Sequence, residues 1–293
     1  MRAALRAFCA AHCNGRVAVY NASAGPVSLT ADVLGYDTTA ATGTGFEPVG
    51  PVRMLGLHRV HAGHALVLTV AGAHHVPAQG VKAVAIDVSV SNPAMAGSLV
   101  VYGHGARRPG ITSLSFAAGQ NVTELVVARV TDGKVDLYNA SRGSLTISAD
   151  AVGYYSAGGS DFQPADALRV LDTRTGFGGA GEAILPHAAA TLNAIWTDAL
   201  ASDADVTAVV LNVTVLGDRS AGALTVFPDS VLYQHGIALP NSSSLPGTPN
   251  IAFRPGQAQS NLAIVPTGSL VDFYNGSTAD LQLAADLEGF YTG

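Results

Sequence analysis

The sequence predicts an all-β protein built as tandem antiparallel β-sandwiches of jelly-roll type. Three observations lead there. Apolar residues alternate with period two along most of the chain, as they do in strands with one face on a core. The segments between turns are short, rich in β-branched side chains, and bounded by Gly, Asn and Pro. Long blocks also recur in the same order, so that one β-rich unit follows another.

The bulk numbers agree. A chain of 293 residues is long enough for two domains with cores of their own. Charged residues make up 12% and hydrophobic residues 48%, which excludes a disordered chain. The net charge is −6 and only two of the fifteen basic residues are lysines, so no basic stripe exists for a nucleic-acid partner. No apolar run reaches the roughly 18 residues that a membrane-spanning helix needs.

Along the chain, residues 1–14 read as a tail. Their basic start leads into an apolar stretch that Arg6 interrupts and that is too short for a signal peptide. Cys9, His12 and Cys13 are an incomplete metal-ligand set, and on a helix the two cysteines would suit a disulfide poorly. Residues 15–37 read as the orphan terminal hairpin of a truncated repeat, with Val27, Leu29, Ala31 and Val33 on one face and Ser28, Thr30 and Asp32 on the other. After a Gly/Thr-rich linker, residues 46–155 form one β-sandwich unit. The short tether "SAGGS" leads to a second unit, residues 162–291.

The two units match block by block. "AVAIDVSVSNPAMAGSLVVY" (Ala83 to Tyr102) aligns without a gap on "AVVLNVTVLGDRSAGALTVF" (Ala208 to Phe227). "ITSLSFAAGQNVTELVV" (Ile111 to Val127) aligns on "TPNIAFRPGQAQSNLAI" (Thr248 to Ile264), and "VRMLGLH" around Arg53 aligns on "LRVLDTR" around Arg169. The stretch from Ala189 to Ala201 is either a helix or a strand followed by a loop. Residues 230–246, rich in Ser and Pro, read as a surface loop.

One motif occurs three times: "YNASAGPVSLTADVLGY" from Tyr20, "YNASRGSLTISADAVGY" from Tyr138 and "YNGSTADLQLAADLEGF" from Tyr274. We read it as a closing hairpin. Asn and Ser bond the turn backbone, Gly supplies positive φ, and the Asp (Asp32, Asp150, Asp286) accepts turn amides at the strand end.

With "LRVLDTRTGFGG" from Leu168, "LNVTVLGDRSAGALTVFP" from Leu211 and "LAADLEGFY" from Leu283, the chain resembles a β-rich repeat module of secreted and surface proteins of actinobacteria. That module opens on an RVLDTR-like strand and closes on an ADVxGYY-like one. The first unit departs from the pattern, with Gly56 where Asp172 stands and His58 where Arg174 stands. The resemblance implies an extracellular or cell-surface module, appended to hydrolases or surface proteins, and no activity of its own.

Candidate chemistry is sparse. His58, His61 and His64 in "HRVHAGH" are spaced closely enough to share a metal, although on a strand His61 faces away from the other two; the alternative is exposed loop histidines. No Gly-x-Ser-x-Gly elbow and no Cys lies within the units, so no catalytic residue is assigned and no cofactor is expected. Arg169, Asp172 and Arg174 read as an ion-pair device closing the unit, with Asp150 and Asp286 as partners. Six Asn-x-Ser/Thr sequons, among them Asn139 and Asn275, are nominal glycan acceptors. Tyr102, Tyr155, Trp196 and Tyr233 are the candidates for stacking on a sugar. The expected function is therefore a non-catalytic extracellular structural or display module. A carbohydrate- or cell-wall-binding adhesive module is the alternative, and a secreted hydrolase the third reading. Self-association through the N-terminal hairpin is the other partner expected.

Overall fold

The structure is a computed structural model, and it describes residues 19–21, 24–33, 35–38, 43–179, 182–193, 205–217, 219–229, 249–266 and 270–293. From Gly45 onward the alternating segments become strands. The first unit comprises β1 (Gly45–Val60), β2 (Ala65–Thr69), β3 (Ala83–Ser91), β4 (Gly97–Gly103), β5 (Leu114–Phe116), β6 (Val122–Arg129), β7 (Lys134–Asn139) and β8 (Leu145–Ser156). The second repeats them as β9 (Asp161–Asp172), β10 (Ala189–Asn193), β11 (Val206–Leu216), β12 (Gly222–Pro228), β13 (Ile251–Phe253), β14 (Ala258–Pro266), β15 (Leu270–Asn275) and β16 (Leu283–Thr292). The stretch that admitted a helix thus begins as β10, and its remainder lies outside the described residues. Among the described residues no helix is long and apolar enough to cross a membrane.

Each unit is two four-stranded antiparallel sheets, ordered β1-β8-β3-β6 and β2-β7-β4-β5 in the first and β9-β16-β11-β14 and β10-β15-β12-β13 in the second. The chain changes sheet at almost every connection, and each unit is an eight-stranded jelly roll. Between the sheets lie two separate cores. Val84, Ile86, Val88, Leu137 and Ile147 belong to the first, and Val209, Leu211, Val213, Phe273 and Leu283 to the second.

The recurring motif is not a hairpin. β7 pairs with β2 and β4, whereas β8 pairs with β1 and β3; β15 and β16 divide in the same way. The Asn-x-Ser turn therefore carries the chain from one sheet to the other as an arch over the end of the core. Asn139 is fully buried there: its Nδ2 donates to the carbonyls of Val60 (3.1 Å) and Gly143 (2.8 Å), and its Oδ1 accepts the Ser141 amide at 2.9 Å. Asn275 repeats the pattern, donating to Ile184 (2.9 Å), Leu185 (3.2 Å) and Ala279 (2.8 Å) and accepting from the Ser277 amide at 2.9 Å. The Ser of each arch lies against a glycine, where a Cβ on Gly97 or Gly222 would come within 2.2 or 2.3 Å of the Ser141 or Ser277 Cβ. Two sequons are thereby removed as glycan acceptors, because Asn139 and Asn275 have no exposed surface.

The turn glycine expected at positive φ, Gly143, does not adopt it, and the glycine three residues after the motif Asp has a requirement of its own. Gly153 and Gly289 sit within β8 and β16, with an aromatic ring lying against the backbone. A Cβ would be 2.2 Å from the Phe46 ring at Gly153 and 2.5 Å from the Phe162 ring at Gly289. Close approach, not turn geometry, requires the missing side chain.

The units are not beads on a tether. The sheets containing β3 and β11 pack face to face, so β3 is buried on both sides: Val84, Ile86 and Val88 in its own core, Ala85 against the second unit. This seam holds Phe46, Ala85, Leu125, Val152, Ala208, Val210, Leu262, Ile264 and Tyr291 in one cluster. The linker joins in, since Phe46 and Ser160 exchange backbone hydrogen bonds of 2.8 and 2.9 Å. Equivalent tyrosines of the two units meet across the seam, Tyr155 Oη to Tyr291 Oη at 2.9 Å, with Phe46 stacked on Tyr291 at 4.6 Å between centroids. Burial pushes both phenol pKa values up. Polar groups in the seam are matched as well: Asn250 Nδ2 donates to Asp87 Oδ2 at 2.9 Å, and Asn261 Oδ1 caps the outward Leu125 amide of edge strand β6 at 3.2 Å.

A double-mutant cycle tests this seam. Tyr155→Phe or Tyr291→Phe alone leaves a buried hydroxyl without its partner and should cost about 1–2 kcal/mol, whereas the double variant should cost less than the sum. Chemical denaturation of the four proteins reads the coupling; strict additivity would show that the hydroxyls do not interact.

Candidate functional site

The residues singled out in the sequence divide into three groups. The ion-pair set is brought together. Arg53 Nε meets Asp150 at 2.5 Å, and Arg169 Nε meets Asp286, from register-matched positions on neighbouring strands. Asp150 thus pairs with Arg53 and not with Arg169 or Arg174. Asp150 and Asp286 each hold the first strand of their unit to the last. Asp172 ends β9 and Arg174 lies in the loop beyond it. Arg174 grips Asp172 with two guanidinium bonds (3.0 and 2.7 Å) and its own amide (3.1 Å), and Arg169 adds a third side-chain contact at 2.9 Å on the same carboxylate. Arg169 and Arg174 thus act on the same carboxylate oxygen. Thr173 pins the loop to β16, its Oγ1 accepting the Leu283 amide at 3.0 Å.

The Arg174 bonds and the two guanidinium charges hold the Asp172 carboxyl well below the usual carboxylate range. A carboxyl whose pKa is lower folded than unfolded contributes stability that is complete above its unfolded value, about pH 4, and is lost as pH falls toward its folded value. Asp172→Asn should therefore lower stability at neutral pH and flatten the loss of stability below about pH 4, as read by thermal melts across a pH series. An unchanged acid limb would show that Asp172 carries no such linkage.

The second group is corrected. Tyr155 is not a surface stacking residue but part of the seam. His58, His61 and His64 form no metal centre: among the described residues no three His, Cys, Asp or Glu side chains converge for one. His61 and His64 shape the turn between β1 and β2, where the His64 amide donates to the His61 carbonyl at 3.1 Å and the Asn139 amide to the His64 carbonyl at 2.9 Å. His61 Nδ1 also lies 3.3 Å from the Ser144 hydroxyl, and His58 is exposed on β1. Asp32 is exposed in a segment whose described residues contain no strand, and most of the first strand of the hairpin expected over residues 15–37 lies outside the described residues.

Trp196 and Tyr233, with Cys9, His12 and Cys13, make up the third group and lie outside the described residues.

Tyr102 is the stacking candidate that remains on a surface. It sits half-buried on the outer face of the β2-β7-β4-β5 sheet, directly across from Asp136. Around it are residues that the sequence reading passed over. Asp136 lies 2.7 Å from His104 Nδ1, and Arg108, from the loop after β4, lies 4.0 Å over the Tyr138 ring. Burial and the neighbouring Asp136 charge raise the Tyr102 phenol pKa, and Arg108 opposes them. The face thus offers tyrosine rings, a planar cation and a carboxylate–imidazole pair to a flat polar ligand. In the second unit Asp272 occupies the position of Asp136, but it accepts a 2.6 Å hydrogen bond from Thr191, and burial raises its pKa. The signal was in the sequence: "VDLYN" and "VDFYN" repeat the Asp two residues before the motif Tyr.

No family model matches the chain, and no curated protein matches it. Among solved structures it is similar to a recombinant pro-11S globulin of pumpkin, at 9% identity over 85% of this chain and 87% of that one, with a TM-score of 0.19. It is also similar to the 7S globulin of Momordica charantia, at 11% identity over 84% of each chain, with a TM-score of 0.18. Neither likeness bears on function.

Proposed function

We propose that this chain is a non-catalytic structural or display module that works outside the cell or at its surface. The observation that carries this reading is the seam: two jelly rolls share an interior through Tyr155, Tyr291 and Phe46, so the pair holds a fixed geometry suited to spacing and presenting other elements. The motif residues are engaged in holding strands and arches together. The extracellular location rests on the resemblance of the RVLDTR-like and ADVxGYY-like blocks.

A second reading, carbohydrate or cell-wall binding, is favoured by one place, the outer face with Tyr102, Tyr138, Arg108 and the Asp136–His104 pair. Pull-down of the full chain on chitin, cellulose and peptidoglycan decides between them. No retention is the expected result for a display module. Retention abolished by Tyr102→Ala, with melting unchanged, would establish the binding reading instead.

A further inference from the structure

The arches over β7–β8 and β15–β16 close equivalent ends of their units, yet those ends carry opposite charge. Beside the first arch lie His61 and His64, both exposed, with His61 Nδ1 3.3 Å from the Ser144 hydroxyl and the His64 carbonyl accepting the Asn139 amide at 2.9 Å. Arg142, within the arch, is exposed. Met95 packs on the arch at Gly143, where a Cβ would stand 3.3 Å from its Cγ, and is still 46% exposed. Beside the second arch lies the loop between β9 and β10. Ile184 and Leu281 exchange backbone hydrogen bonds of 2.9 and 2.8 Å, which brings Glu182 and Asp280 to the same end, and both are exposed. Two large apolar side chains of that loop face water as well, Phe177 at 54% and Leu185 at 62%. The units as wholes divide in the same sense. Residues 43–160 hold eight basic and six acidic side chains, a net charge of +2, and residues 161–293 hold four and thirteen, a net charge of −9. Three of the six acids in the first unit, Asp87, Asp136 and Asp150, are buried, so its surface is more basic than the count.

We propose that the arch end of the first unit docks on the arch end of the second unit in another copy of this chain, so that copies join head to tail. Met95 meets Leu185 and Phe177 to form an apolar centre, and Arg142 with the histidine turn meets Glu182 and Asp280 around it. A second copy is the occupant because each end offers the charge that the other lacks, and both ends belong to one chain. Opposite charges steer the two ends together and set like ends apart, since two first arches would place Arg142 against Arg142. The two surfaces differ, so the contact is heterologous. Each added copy leaves one end of each kind free, and copies build a row, or a ring where the rotation closes. This assembly goes beyond the display role proposed above and does not depend on it.

The test is sedimentation velocity of the full chain over a range of concentrations, in about 20 mM and about 500 mM NaCl. The parent should assemble at low salt and more weakly at high salt, because the charges around the contact are exposed and screened. Arg142→Glu at the first arch and Leu185→Glu at the second should each raise the concentration of half assembly about tenfold or more, with melting unchanged. Met95→Asp and Asp280→Asn place the same pair of defects at other residues, should a melt show either variant unfolded. Mixed in equal amounts, the first two variants should recover a dimer and stop there. The intact first arch of L185E meets the intact second arch of R142E, and the two altered ends are both negative. A parent that stays monomeric in both salts overturns the proposal. Assembly that survives both variants does so too, since it places the contact elsewhere on the chain. A mixture no more associated than either variant alone would show that the two ends do not meet, and overturns the head-to-tail contact.

Discussion

Replacing Asn275 with Ala is expected to destabilise the second unit by about 3 kcal/mol, and Asn139→Ala the first by a similar amount. Each side chain is completely buried, Asn139 joining its arch to the end of β1 and Asn275 joining its arch to the loop between β9 and β10. Asn275 serves the carbonyls of Ile184, Leu185 and Ala279 and the amide of Ser277. Water cannot replace it at no exposed surface, so the truncation leaves both a cavity and weakened backbone pairing. In a unit of this size the loss corresponds to a melting decrease of roughly 10 °C. The comparison with Asn275→Asp separates packing from hydrogen bonding. Asp fills the same volume, but it sets a carboxylate oxygen against three carbonyls, and it should be at least as damaging as Ala. An Asp variant as stable as the parent would remove the donor role of Nδ2.

Gly153→Ala should cost about 3 kcal/mol, at the upper end of what overpacking costs, and Gly289→Ala should behave alike. Neither glycine adopts a positive φ, so the penalty is purely steric. The added methyl at residue 153 would stand 2.2 Å from the Phe46 ring and 2.6 Å from the Glu47 carbonyl oxygen. Phe46 is fully buried against Tyr155 and Tyr291, so its ring has nowhere to go without opening the seam. Adding Phe46→Ala relieves the ring contact but not the backbone one, and should rescue Gly153→Ala only in part. Thermal melts of the single and double variants measure this. Full rescue would show that the ring alone, and not the approach of β1, demands the glycine.

Much of this architecture was legible in the residues. Alternation placed Leu145, Ile147 and Ala149 on a core face, and they are buried there. The gapless match of Ala83–Tyr102 with Ala208–Phe227 revealed two equivalent units, and both blocks fold as the same pair of strands, β3–β4 and β11–β12. The Arg169–Asp286 pair was within reach because both residues recur at the ends of their unit. The first unit's version needed the register, since Arg53 stands in a block that has lost the Asp and Arg of its counterpart. Asp136 and His104 went unnoticed because they are remote in sequence and meet only when β4 lies beside β7.

The arch shows where local reading ends. Two strands joined by Asn-x-Ser and a few more residues alternate in the same way whether they pair with each other or diverge into facing sheets. Periodicity fixes which side of a strand is apolar, and says nothing about which strand lies next to it. The same holds for Tyr155, whose ring and hydroxyl suit a sugar-binding surface as well as they suit a buried seam. The sequence by itself determined the strands, the two-unit repeat, and the positions of the Asn, Gly and Asp that hold each unit closed. Only the tertiary structure decided that the motif bridges two sheets, that its glycine makes room for a phenylalanine of the first strand, and that the units share an interior. Those outcomes depend on contacts between residues far apart in the chain, and such contacts leave no local period to read.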